Sequence, residues 1–132
     1  MKGDTDMEDR KEYAVRMDAG GCNCCQSVLL AFADETDLTE EQLRKLGAAF
    51  GVGMGCRDAT CGALVGAGMA LGLLKYRGKP VARDAAQLLS RFRELSGATL
   101  CHELKGRDTG VVLCACSDCI RNAVAALEEQ LG

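Results

Sequence analysis

Residues 61–74 read CGALVGAGMALGLL, an apolar stretch in which Gly62, Gly66 and Ala70 recur at every fourth position. On a helix that period gathers the three small residues on one face, where nearly bare backbone lets a second helix approach closely. A glycine costs roughly 1 kcal/mol relative to alanine inside a helix. Its repetition therefore makes sense where packing demands it. The apolar run from Ala59 to Leu74 also carries Thr60 and Cys61. It falls short of the roughly 20 residues that a membrane span needs. The stretch reads as a buried central helix over about residues 59–75.

Helical signals continue on both sides. Thr5 and Glu8 have capping-box spacing before a helix that ends at Gly20 and Gly21. Asn23 and Gln26 repeat the signal ahead of Val28, Leu29 and Phe32. Thr39 and Gln42 open a third helix with Glu40 and Glu41 at its positive end and Leu43, Leu46 and Phe50 on one face. GVGMGCRDAT, residues 51–60, breaks regular structure, and Thr60 can cap the central helix. Beyond Pro80, residues Val81, Ala85, Leu88, Leu89, Phe92 and Leu95 keep a 3.6-residue period up to Gly97, a C-cap position. Thr99 can cap LCHELKG, and Ser117 or Asp118 can cap a last helix bearing Ile120, Val124, Leu127 and Leu131. VVLCAC, residues 111–116, is the one stretch compatible with extended structure. The expectation is all-α: a compact bundle of about six helices around the Gly-rich helix, with cysteines at helix N-termini. Residues 1–132 read as one domain, with 1–19 as the N-terminal helix.

Composition narrows the function. The chain has 132 residues, 48% of them hydrophobic, no Trp and a net charge of −3. An acidic chain with so few aromatic residues lacks both the basic face and the stacking platform of a nucleic-acid binder. Lys75, Arg77, Lys79 and Arg83 around Pro80 read as a solvated loop. The N-terminus MKGDTDMEDRKEYAV has no apolar signal core, so a cytoplasmic location is expected. There the nine cysteines would stay largely reduced, favouring metal or thiol redox chemistry over a disulfide scaffold.

The cysteines fall where helices begin. Cys24 and Cys25 follow Asn23, Cys61 follows Thr60, Cys101 lies two after Thr99, and Cys119 lies two after Ser117. Unpaired N–H groups and the helix dipole stabilise a thiolate there, making it a better ligand and a more abundant nucleophile. Cys22-x-x-Cys25 and Cys116-x-x-Cys119 each suit a dithiol or two metal ligands. Neither pair is followed by His, which argues against covalent haem of the c type. His102, the only histidine, follows Cys101 and could tune that thiol or act as a ligand. Gly51-x-Gly53-x-Gly55 lacks the spacing of a nucleotide loop and reads as a turn that lets backbone pass close to the cysteine centre.

The segments CNCCQSVLLAF, FGVGMGCRDATCGALVGAGMALGL, LCHELKG and CSDCIRNAVAALEE, in that order, resemble the C_GCAxxG_C_C family of redox-active proteins over roughly Gly20 to Leu131. The resemblance implies a helical, redox-linked domain. It matches the family cysteines to Cys24, Cys61, Cys101 and Cys116, with Cys119 as the alternate fourth. It also implies a link to iron–sulfur chemistry, since a related domain occurs in cytochromes of the split-Soret type. Cys22, Cys25, Cys56, Cys114 and Cys119 are additional to the usual four.

Three functions are compatible with these residues. The first is an iron–sulfur or other thiolate-metal centre on Cys24, Cys61, Cys101 and Cys116 for electron transfer or redox sensing. The second is a metal-free thiol–disulfide oxidoreductase in which Cys61 attacks and Cys24 or another neighbour resolves. The third is a non-catalytic helical module held by a four-cysteine zinc site. A redox partner protein is implied without being named by the sequence, and the glycine-faced helix could serve a homodimer as readily as a core.

Overall fold

The computed structural model describes residues 9–132. Helix α1 spans Arg10–Ala19, α2 Cys24–Ala31, α3 Glu40–Gly47, α4 Gly62–Lys75, α5 Ala82–Ser96, α6 Cys101–Leu104 and α7 Cys116–Leu131. The chain is all-α, as its periodicity predicts. Among the described residues there is no strand, and residues 111–115 are irregular; an isolated antiparallel bridge joins Thr60 to Leu100 instead. The Thr5–Glu8 capping signal lies outside the described residues. Helix α1 opens at Asp9, whose carboxylate accepts a hydrogen bond from the Lys11 N–H.

Two capping boxes form as read. Asn23 and Gln26 exchange hydrogen bonds at the start of α2, and Thr39 and Gln42 do so at the start of α3. Each pair satisfies helix-end N–H groups that have no partner within the helix. The Asn23 amide also donates to the carbonyls of Gly47 and Ala48, tying α2 to the end of α3. Gly97 adopts a φ of 97° and closes α5. Other caps differ from expectation. Helix α3 ends at Gly47, leaving Phe50 in the following loop and Leu46 exposed. Cys61, Leu100 and Ala115, rather than Thr60, Thr99 and Ser117 or Asp118, precede α4, α6 and α7.

Helix α4 lies against α2, α5 and α7, and α2 also packs on α1, α3 and α7. Val28, Leu29, Phe32, Leu71, Phe92, Ile120, Val124 and Leu127 fill the space between them. Burying each large apolar side chain contributes about 1.5–3 kcal/mol. Gly66 permits the α2–α4 approach, since a methyl group there would lie 2.6 Å from the Cys25 carbonyl oxygen. At the other end of the bundle, Arg10 pairs with Asp34, Glu35 and Glu128. Lys75, Arg77, Lys79 and Arg83 are all exposed. No helix among the described residues is long and apolar enough to cross a membrane.

Candidate functional site

Four helix openings meet at one end of the bundle. Cys24 is the first residue of α2, Cys101 of α6 and Cys116 of α7, while Cys61 is the N-cap of α4. The Thr60–Leu100 bridge sets two of them side by side. The Cys61 N–H donates to the Thr99 carbonyl at 2.8 Å, and the Cys101 N–H donates to the Ala59 carbonyl at 3.0 Å. Cys119 lies one turn into α7, on the same side as Cys116.

Between these openings is a pocket of about 200 Å³ lined by Cys24, Cys61, Cys101, Cys116 and Cys119. Asp18, Arg57 and Lys105 are its charged members, and Val52 and Gly62 complete the wall. Gly62 leaves room for Cys24, whose sulfur would lie 2.5 Å from a methyl group at that position. The turn from Val52 to Arg57 forms another side. Val52, Met54 and Arg57 have φ values of 53°, 62° and 67°, and Gly53 and Gly55 are also left-handed. Such residues cost on the order of 1–3 kcal/mol each and persist where their surroundings enforce them. Here Arg107 pins the turn, donating to the Cys56 carbonyl at 3.3 Å and to Asp58 at 2.7 Å.

The thiols are electrostatically unequal. A hydrogen bond with Cys119 favours the Cys61 thiolate; burial opposes it, while the N–H groups of Ala63 and Leu64 and the Lys105 charge add to the stabilisation. Together they lower the Cys61 pKa to about 6, and Cys119 retains its proton because its neighbour carries the charge. Burial pushes the Cys24 and Cys101 thiols up. It also raises the Asp18 carboxyl. Lys105 donates to Cys119 Sγ at 3.3 Å and to the Cys114 carbonyl at 3.0 Å. Burial works against its ammonium group, but the surrounding sulfurs, Cys119 first, hold the proton more firmly than usual.

A family model described as "Putative redox-active protein (C_GCAxxG_C_C)" matches residues 22–130. The chain belongs to this family. Comparison with curated proteins and with solved structures gave no match. Cys24, Cys61, Cys101 and Cys116, the cysteines that the motif resemblance selects, stand at the four helix openings and line one pocket.

The remaining cysteines separate by position. Cys25 faces the core, with its sulfur 3.9 Å from that of Met69, and burial pushes its thiol up to about 12. Cys22 lies beside Arg44, Cys56 is exposed on the left-handed turn, and Cys114 is buried against Asn122. His102 faces Asp108 at 3.1 Å in a separate surface pocket and does not line the thiol pocket. Sequence reasoning missed Lys105, Arg57 and Asp18. For Lys105 a signal existed, since it stands four residues after Cys101 at the end of one helical turn.

The donor chemistry fits a thiolate-bound group, because sulfur atoms from several segments face a shared cavity. Their arrangement surrounds that cavity rather than a point. Among the described residues no three His, Cys, Asp or Glu side chains form a group ready to hold a single metal ion.

Proposed function

We propose that the pocket is a thiol–disulfide redox centre, with Cys61 as the attacking thiolate and Cys119 as the resolving thiol. The observation carrying this reading is that Cys61, at the opening of α4, and Cys119, one turn into α7, line the same pocket, where the surroundings favour the thiolate on Cys61 and the protonated thiol on Cys119. Cys61 thiolate attacks one sulfur of a substrate disulfide R–S–S–R′, releasing R′–S⁻ and forming a mixed disulfide. Cys119 gives its proton to the departing thiolate, and its own sulfur attacks Cys61. The products are R–S⁻, R′–SH and a Cys61–Cys119 disulfide: two electrons have passed from the protein dithiol to the substrate.

A second reading has its own support, since all four family cysteines border a cavity of about 200 Å³. Cys24, Cys61, Cys101 and Cys116, with Cys119 as the alternate, would hold an iron–sulfur cluster or other thiolate-ligated metal. A cluster would supply one-electron transfer. Anaerobic purification followed by iron, sulfide and zinc analysis separates the readings. The dithiol account expects a colourless, metal-free protein with one reversible two-electron couple. Matching iron and sulfide with visible absorption would replace it with the cluster, and stoichiometric zinc without redox activity would identify a structural module.

A further inference from the structure

Among the described residues, Lys105 bonds both to a sulfur of the proposed pair and to the loop beside it. Its Nζ lies 3.3 Å from Cys119 Sγ and 3.0 Å from the Cys114 carbonyl oxygen, so the ammonium group is anchored rather than free. Cys119 Sγ also approaches the Cys114 carbonyl, at 3.6 Å. No carboxylate lies within ion-pair distance of Lys105 among the described residues, and its charge is directed to sulfur.

We infer that Lys105 is the charge partner of the resolving step, holding negative charge on the Cys119 sulfur once Cys61 has become part of a mixed disulfide. The inference rests on the dithiol reading above. Attack on the substrate turns the Cys61 sulfur into a neutral disulfide sulfur, and the departing R′–S⁻ takes the Cys119 proton. Cys119 then carries the charge beside a cation already at hydrogen-bond distance, and the S–S bond forms as R–S⁻ leaves. A charge-assisted hydrogen bond of this kind is among the stronger ones available to sulfur chemistry in a partly buried pocket. Lys105 therefore acts mainly on the second half of the exchange.

The test uses the full chain reacted with bis(2-hydroxyethyl) disulfide, quenched in acid at intervals and mapped by peptide mass. Cys119→Ser is expected to accumulate a stable adduct on Cys61. Lys105→Met is expected to resolve that adduct roughly tenfold or more slowly, and to form it only modestly more slowly, since Lys105 also adds to the stabilisation of the Cys61 thiolate. Lys105→Arg should restore much of the resolving rate while circular dichroism stays unchanged in both variants. Equal resolution in Lys105→Met and the unsubstituted protein would overturn the Lys105 inference, as would equal slowing of both steps. Absence of any Cys61 adduct, even in Cys119→Ser, would instead overturn the dithiol reading itself.

Discussion

Alkylation of Cys61 by iodoacetamide, followed residue by residue through peptide mapping, is expected to rise with pH through a midpoint near 6. An ordinary thiol responds near 8.5. The sign follows from the acid: a lowered thiol value means thiolate above about 6 and its loss on acidification. The midpoint, rather than the plateau rate, is the informative quantity. Thiolates of low pKa are intrinsically poorer nucleophiles, with a Brønsted slope of about 0.4–0.5, which offsets much of their greater abundance. Cys101 supplies the control for access, because it lines the same pocket and is 4% exposed against 3% for Cys61. Its midpoint should lie above that of an ordinary thiol, since burial raises it. Coincident titration of Cys61 and Cys101 would mean that the helix opening and Cys119 do not select one sulfur.

Gly62→Ala is expected to destabilise the protein by about 3 kcal/mol in urea unfolding. An added methyl group would run into the Phe50 carbonyl oxygen and would lie 2.5 Å from the Cys24 sulfur. The carbonyl belongs to the backbone and cannot rotate aside. Displacing Cys24 instead would open the thiol pocket. The loss would appear despite alanine's helix advantage of roughly 1 kcal/mol. Gly68→Ala on the same helix meets nothing within 4 Å, so that advantage should appear there as a small gain. Equal stability of the two variants would show that Gly62 does not enforce the approach of α2 to α4.

The contrast between Gly62 and Gly68 also shows where the sequence was legible. Spacing alone identified the Gly62–Gly66–Ala70 face, because a helix repeats its faces every three to four residues, and all three positions are buried. Asn23–Gln26 and Thr39–Gln42 were equally readable, since a capping box is completed within four residues. Thr60, Thr99 and Ser117 misled for physical reasons that lie beyond their own segments. The chain around residues 60 and 100 is paired across the fold, so the local hydroxyl does not decide where α4 and α6 begin. That bridge moved the predicted cap to Cys61 itself. At α7, Ala115 precedes the helix, placing Cys116 at the opening and Cys119 one turn inward.

The candidate site was readable as a set of sulfurs, but not as a pair. The family resemblance selected Cys24, Cys61, Cys101 and Cys116, all of which line the pocket. The closeness of Cys119 to Cys61 arises from the packing of α4 against α7, and the Lys105 contact arises from the return of the chain beyond α6. Neither is encoded in local spacing. The opening cysteines of α2 divide for a simpler reason: successive helix positions point about 100° apart. Cys24 therefore meets the pocket while Cys25 enters the core.

The central claim is that Cys61 and Cys119 form the working pair. Its most direct measurement is non-reducing peptide mapping of the full chain after anaerobic reaction with one equivalent of a small disulfide. The account predicts one intramolecular Cys61–Cys119 disulfide, reversed by dithiothreitol, with Cys24 and Cys101 still alkylatable after denaturation. A dominant disulfide between Cys61 and another pocket cysteine, or reaction confined to exposed Cys56 and Cys116, would contradict it.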